Sequence, residues 1–595
     1  MDAFWGIVGT INGLLFSDVT VYALLITGVA FTIWSGFGQY RALTHGVALA
    51  LGKYDDEEDK GPGAISHFEA LSTALSATVG LGNIAGVAVA VALGGPGAIF
   101  WMWIIGLLGM SLKMTEVTQS MLYRDTSDPE NPHGGPMFVV KEGMKKWGLG
   151  AVGSVIGAIF VITLIISAVT GGNMFQAWNV ADVTFTFFGV PQYVTGIILC
   201  IAVGAVILGG IKRIGSVASK LVPAMCILYL LAALYVIIIN IGDVPALLAL
   251  IVKSGLPEFL GGSPASATGA FIGGTVGYAA VWGIKRALFS SEAGQGSAPI
   301  AHAAVRTKEP VTEGVVAGLE PFIDTIVVCT LTALVILSSG AWNRGPETSF
   351  EAAPQIVEHV SKDAKKDNKT KEWTLKSDKL PARSTEAKEI QGLEGLGWKK
   401  GETVFMLVQT GAVDSDGTGT DVKRLTGVVD GNADEGFTVK WNPIESEKAP
   451  TFAKSGDKAD MGIYANYAGA SLTAYAFNRV LPGLGTFLVT LAAWLFAIST
   501  MISWSYYGEQ GIVYLAGEKA VLPYRIVYCA LILVTCLGFI TTDAQLDSIT
   551  TLGLGVMLVA NIPIMWLFAK EAMTAYHGYI GRLKSGEIKP AKKKA

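Results

Sequence analysis

About eleven apolar runs along this chain are each long enough to cross a lipid bilayer. They fix most of what it can become. A crossing helix needs roughly 20 apolar residues, and in hydrocarbon every backbone N–H and C=O must find its partner inside the protein. The runs cover 19–38, 68–92, 96–122, 152–172, 190–210, 216–240, 266–285, 313–339, 484–507, 522–541 and 548–569. Composition agrees: 51% of residues are hydrophobic and 15% charged, where a soluble chain carries about 25% charged residues. The expected fold is an all-α polytopic membrane protein. No basic stretch is interleaved with aromatics, so nucleic acid is not an expected partner; membrane lipid is. The five cysteines all lie in apolar runs without a CxxC, the pattern of small buried side chains rather than a metal site.

Basic residues give the orientation. The loops after the first, third, fifth, seventh and ninth runs carry Arg41, Lys53, Arg124, Lys141, Lys145, Lys212, Arg213, Lys285, Arg286, Arg306 and Lys519, and the tail ends in Lys592 to Lys594. Apart from Lys253, the opposite short loops hold almost none. The N-terminus is therefore expected outside and the C-terminus in the cytoplasm of a cell inner (plasma) membrane protein. The opening stretch MDAFWGIVGTINGLLF lacks a basic start and reads as an amphipathic surface segment, not a cleaved signal. Residues 341–465 break the pattern, being polar and charged. Val404–Thr410 is β-prone, and Leu425–Val429 and Phe437–Trp441 flank a turn-rich DGNADEG, a hairpin signal. The expected organisation is a transmembrane core in two parts, 1–340 and 466–595, around a small β-rich extracytoplasmic domain at 341–465. The loop DSDGTGTD at 414–421 lacks the closing Glu of an EF-hand and reads as solvated.

The second run contains its own interruption. TVGLGNIAG at 78–86 places three glycines and an asparagine mid-span, where helix propensity is poor. Small residues also suit close helix packing. A break there, however, frees carbonyls from one half-helix for a sodium ion and N–H groups from the other for a carboxylate. A second glycine-rich interruption, Gly269 to Gly277 with Gly273 and Gly274 at its centre, falls in the seventh run. Paired breaks five runs apart suggest one accessory helix followed by 5+5 inverted repeats, the plan of a secondary transporter. Asp324, with Glu320 a turn before it, is an acid inside the eighth run and a candidate for coupling or for a structural ion pair. Lys113 and Glu116 are spaced to pair locally. Lys285, Arg286 and Glu292 would bracket the cytoplasmic end of the seventh run, as a gate or as interface anchors. No HExxH or GxSxG is present, and no enzyme is expected.

Several long blocks, in order, resemble the alanine or glycine:cation symporter family: SATVGLGNIAG, GGPGAIFWMW (94–103), GNMFQ (172–176), LFSSEAGQGSAPIAHAA (288–304), PFIDTIVVCTLTALVIL (321–337) and FAISTMISWSYYGE (496–509). The resemblance implies a leucine-transporter-like fold importing a small neutral amino acid, alanine or glycine favoured, by alternating access. Sodium would be the coupling ion and no cofactor would be needed. It implies that Gly80, Gly82, Asn83, Gln176, Gly273, Gly274, Thr500 and Trp504 surround the substrate. Thr78, Val79, Asn83, Ser499 and Thr500 would hold sodium, with Asp324 and Glu292 in coupling or gating. Leu81 stands where the family usually has threonine, so it is expected to reshape the substrate wall. Two other readings stay open: a proton-coupled carrier of the same fold, and a transporter-like sensor whose external domain meets an envelope partner.

Overall fold

The computed structural model describes residues 2–15, 17–54, 61–359, 371–376, 379–411, 420–455, 458–539 and 543–590. Most of the DSDGTGTD loop and the basic Lys592 to Lys594 lie outside the described residues. Among the described residues, eight helices are long and apolar enough to cross a membrane, or nine if one bent pair counts as a single span. This is a polytopic membrane protein. The bent pair is the second run, His67–Thr78 and Gly82–Gly94, with 47° between its halves.

Local chemistry sets the limits of that first broken helix. Ser66 and Glu69 form a capping box: the serine hydroxyl accepts the Glu69 N–H at 3.3 Å and the glutamate accepts the Ser66 N–H at 2.9 Å. The helix then stops at Thr78, because Val79 adopts ψ 82°, outside the helical range. It resumes through a wide π-type turn over Gly82–Gly86 and runs to Gly94. Small residues at the restart let neighbouring helices close around it.

The interruption expected at Gly269 to Gly277 lies elsewhere. Helix Val276–Ser291 begins only at Val276, with the Thr275 hydroxyl accepting the Tyr278 N–H at 3.1 Å. Gly273 and Gly274 therefore belong to a non-helical lead-in ahead of the helix. Their glycines, followed by a capping threonine, mark a helix start. The break comes at the helix's far end, where Glu292, Gly294 and Gly296 have φ of 52°, 80° and 83°. Left-handed residues so close together cannot continue a right-handed helix. The short helix Ala298–His302 follows.

All described strands fall between Thr348 and Ala465. Strand Thr403–Gln409 pairs antiparallel with Val422–Asn432, which forms a hairpin with Gly436–Trp441, Val429 facing Val439. Alternation buries both faces of the 403–409 strand. Val404, Met406 and Val408 join Leu425, Val439 and Trp441, while Phe405 and Leu407 pack with Ala270 and Ile272 of the lead-in. Arg424 donates from Nη2 to the carbonyls of Ala270 at 2.9 Å and Ala92 at 3.2 Å. The β-rich segment is thus tied to one end of each broken helix.

Candidate functional site

The first break is held from several sides. The Gly80 N–H donates to Asn83 Oδ1 and to the Thr78 carbonyl, both at 2.9 Å. The Leu81 N–H donates to Gln176 Oε1 at 3.3 Å, and Gln176 Nε2 donates to the Gly171 carbonyl at 3.0 Å. Asn83 Nδ2 reaches Ser290 Oγ at 2.9 Å, the Asp324 carbonyl at 3.0 Å and Cys329 Sγ at 3.3 Å. One buried amide therefore joins the first break, the last turn before the second break, and the wide turn Phe322–Cys329. On the other side the Thr500 hydroxyl donates to the Ser76 carbonyl at 3.0 Å, and the Ser76 hydroxyl donates to the Ser499 carbonyl at 2.8 Å. The two adjacent hydroxyls of helix Leu484–Ala516 part company: Ser499 Oγ bonds back to Phe496 of its own helix at 2.9 Å.

Between the two breaks lies a small cavity of about 10 Å³, lined in part by Thr78, Gly80, Gly82, Gln176, Glu292 and Trp504. That is room for about one water molecule, so the site is closed around its centre. Glu292, the left-handed residue of the second break, accepts from Trp504 Nε1 at 3.0 Å and from the Ser297 hydroxyl at 2.5 Å. The indole seats on Gly172, where an added Cβ would lie 2.4 Å from the ring. Gly172→Ala should therefore push Trp504 out of the cavity wall and cut transport at least about tenfold, while costing about 1–3 kcal/mol of stability. Uptake assays alongside thermal melts in detergent would read both effects.

Most of the residues expected at the site converge here, and some do not. Gly273 and Gly274 lie outside the cavity, because they precede the helix instead of interrupting it. Leu81 contributes its N–H, and its side chain is buried outside the lining of this cavity. Asp324 is fully buried, with Oδ1 near the hydroxyls of Thr325 and Ser290. Lys113 and Glu116 do not pair with one another. Lys113 Nζ faces Glu320 at 3.2 Å, and Glu116 accepts from the Gly296 N–H at 3.1 Å and Asn561 Nδ2 at 3.0 Å. Buried charges have taken partners across helices because no water competes for them. Arg286 lies before the break and pairs with Asp547. Sequence reasoning missed Phe289, whose ring would lie 3.0 Å from a Cβ added at Gly82 and packs edge-on against Phe175 at 4.5 Å. It also missed Ser290 and Cys329. The signal was present in LFSSEAGQGSAP, whose two glycines after a glutamate mark the real break.

Two helix interruptions facing one buried cavity, inside a bundle of apolar helices, define a membrane transporter. The chain belongs to the sodium:alanine symporter family, whose family model matches residues 1–363 and 456–594. It is 33% identical over 525 residues to the sodium/alanine symporter AgcS of Methanococcus maripaludis, covering 88% of this chain and 86% of that protein. A putative sodium/proton-dependent alanine carrier, YrbD of Bacillus subtilis, is 29% identical over 584 residues, 97% of this chain and 93% of that one. A probable sodium/glutamine symporter of the same organism, GlnT, is 37% identical over 338 residues, 57% of this chain and 66% of its own length. Family and relatives are transporters, not enzymes. The stretch the family model leaves unmatched, 364–455, holds most of the strands.

Proposed function

We propose that this protein is a sodium-coupled symporter that imports a small neutral amino acid, alanine or glycine first, by alternating access. The observation that carries this reading is the closed cavity at the meeting point of the two breaks. The N–H groups of the half-helix end there, bonded to Asn83 and Gln176 while the site is closed, are ones a carboxylate would take over without a full counter-charge. Gly80 and Gly82 would receive the carboxylate, with Gln176 and Trp504 closing the wall. The bulk of Phe289 and Trp504 beside the break favours a short side chain. The carbonyls of Thr78 and Val79 with the hydroxyl of Thr500 would hold sodium, Ser499 contributing through its backbone. Asn83 would link that ion to the second broken helix, and Asp324 would set the charge behind it. Counting the shorter helix Gln192–Ile207 and the second broken helix as crossings supports eleven spans, one plus 5+5, and the basic loops favour an outside N-terminus. In that orientation the β-rich segment is extracytoplasmic and rests on the outer ends of both broken helices.

The test is uptake into proteoliposomes with a panel of small amino acids, under a sodium gradient, a proton gradient, or neither. Sodium-driven accumulation of alanine or glycine is expected. Accumulation indifferent to sodium but driven by protons would replace the coupling ion, and no accumulation under any gradient would favour the sensor. Because relatives are named for alanine and for glutamine, glutamine belongs in the panel.

A further inference from the structure

A row of ionisable side chains runs away from the site among the halves of the broken helices opposite the β-rich segment. His67, at the start of helix His67–Thr78 and beside exposed Ser66, contacts Glu313 through Nδ1. Glu313, in helix Pro310–Ala317, also meets His302 Nδ1 at 2.5 Å. His302 Nε2 meets Glu320 at 2.8 Å, and Glu320 faces Lys113 at 3.2 Å. The side chains of His302, Glu313, Glu320 and Lys113 are all 0% exposed.

An ionised carboxylate only accepts, and a neutral imidazole donates from one nitrogen. His302 lies between two carboxylates and meets each with a different ring nitrogen. Both contacts can be hydrogen bonds only if the imidazole is doubly protonated or one carboxyl carries a proton. His67 can meet its own contact with Glu313 by donating the one proton a neutral imidazole carries, so that contact adds nothing to the count. The closed row therefore contains one proton more than neutral histidines and ionised glutamates would bring.

We propose that His302, flanked by Glu313 and Glu320, is a proton-binding site that latches the second broken helix to helix Pro310–Ala317 and its end, against which His67 of the first broken helix also rests. The row joins His67 of the first broken helix to His302 of the second. Parting helix Ala298–His302 from Glu313 and Glu320 separates the groups that share the extra proton and lets it go to the solvent on that side. In the orientation proposed above, that solvent is the cytoplasm, and the transport arm of the test rests on that reading. Other charged groups facing the row are Lys113, Glu116 and Arg124 from helix Gly97–Tyr123 and its end, Glu292 from the second break, and Asp324 from the wide turn. Lys113 compensates the ionised end of the row at Glu320, leaving the proton centred on His302.

Two measurements test the latch. The first needs no substrate: thermal melting of the purified full chain in detergent from about pH 7 to 9, above the ordinary titration range of unfolded histidine and glutamate. A proton held only in the folded row makes stability fall as pH rises. Glu320→Gln supplies a neutral donor in place of the proton, and His302→Gln removes its binding site, so both should flatten the profile. The second measurement varies only the cytoplasmic-side pH during sodium-driven uptake. If opening releases one proton, lowering that pH by one unit should slow wild-type uptake by up to about tenfold, and Glu320→Gln should lose this dependence. A folded Glu320→Gln or His302→Gln protein that keeps the wild-type melting profile overturns the proposal, as does a flat wild-type profile. If His302→Gln does not fold, Glu320→Gln and the wild type decide. If no substrate is taken up, the symporter reading fails while the melting arm still judges the latch.

Discussion

Gly80→Ala is expected to abolish uptake and to lower the melting temperature. A Cβ at this position would lie 2.3 Å from Thr500 Oγ1 and 3.4 Å from Thr500 Cβ. The hydroxyl cannot simply swing away, because it is bonded to the Ser76 carbonyl, and its helix is further pinned where the Ser76 hydroxyl meets the Ser499 carbonyl. Overpacking of this kind costs about 1–3 kcal/mol in stability. The cost to transport is larger, since the displaced atoms are the break's own N–H groups and the hydroxyl proposed to bind sodium. Adding Thr500→Ala removes the clashing oxygen. The double variant should therefore regain much of the lost stability, read by thermal melting, and none of the uptake. Normal uptake by Gly80→Ala would show that the break and Thr500 do not form one site.

How far this site could be read from the sequence depended on which physical signal each residue carries. The first break was legible because glycines serve close packing in a membrane helix but an asparagine set among three of them does not, and Gly80, Gly82 and Asn83 lie in or beside it. Gln176 and Trp504 became legible only through the family-like blocks around them, since neither spacing nor hydropathy points inward. The second break was placed too early because a glycine count does not distinguish a helix start from a helix interruption. Gly273 precedes a capping threonine, whereas Gly294 and Gly296 follow Glu292, itself forced left-handed. The partners of Lys113 and Glu116 were illegible for a different reason. Spacing along one helix says which residues share a face, but burial makes a charge seek its partner on whichever helix packs there. The strands in 341–465 were legible from alternation and turn chemistry. Their attachment through Arg424 to Ala92 and Ala270 was not, because only the packed chain brings those carbonyls together.

Asn83→Ala should reduce sodium-driven uptake to background while leaving a folded protein. The alanine removes the acceptor for the Gly80 N–H and the donor to Ser290, to the Asp324 carbonyl and to Cys329. At about 0.5–1.5 kcal/mol for each net bond, the loss is a few kcal/mol, serious but survivable for a chain with so large a core. Transport suffers more because those bonds are what holds the two breaks in register across the cavity. Asn83→Asp separates the two halves of the amide. It keeps an oxygen for Gly80 and for an ion, but it cannot donate to Ser290 or to the Asp324 carbonyl, and it brings a negative charge toward that carbonyl. If the cross-link matters most, Asn83→Asp fails as completely as Asn83→Ala. If the oxygen matters most, Asn83→Asp retains sodium-dependent stabilisation in a melt even where uptake is slowed. The first outcome is expected, since three of the four polar contacts of this side chain are made by its nitrogen.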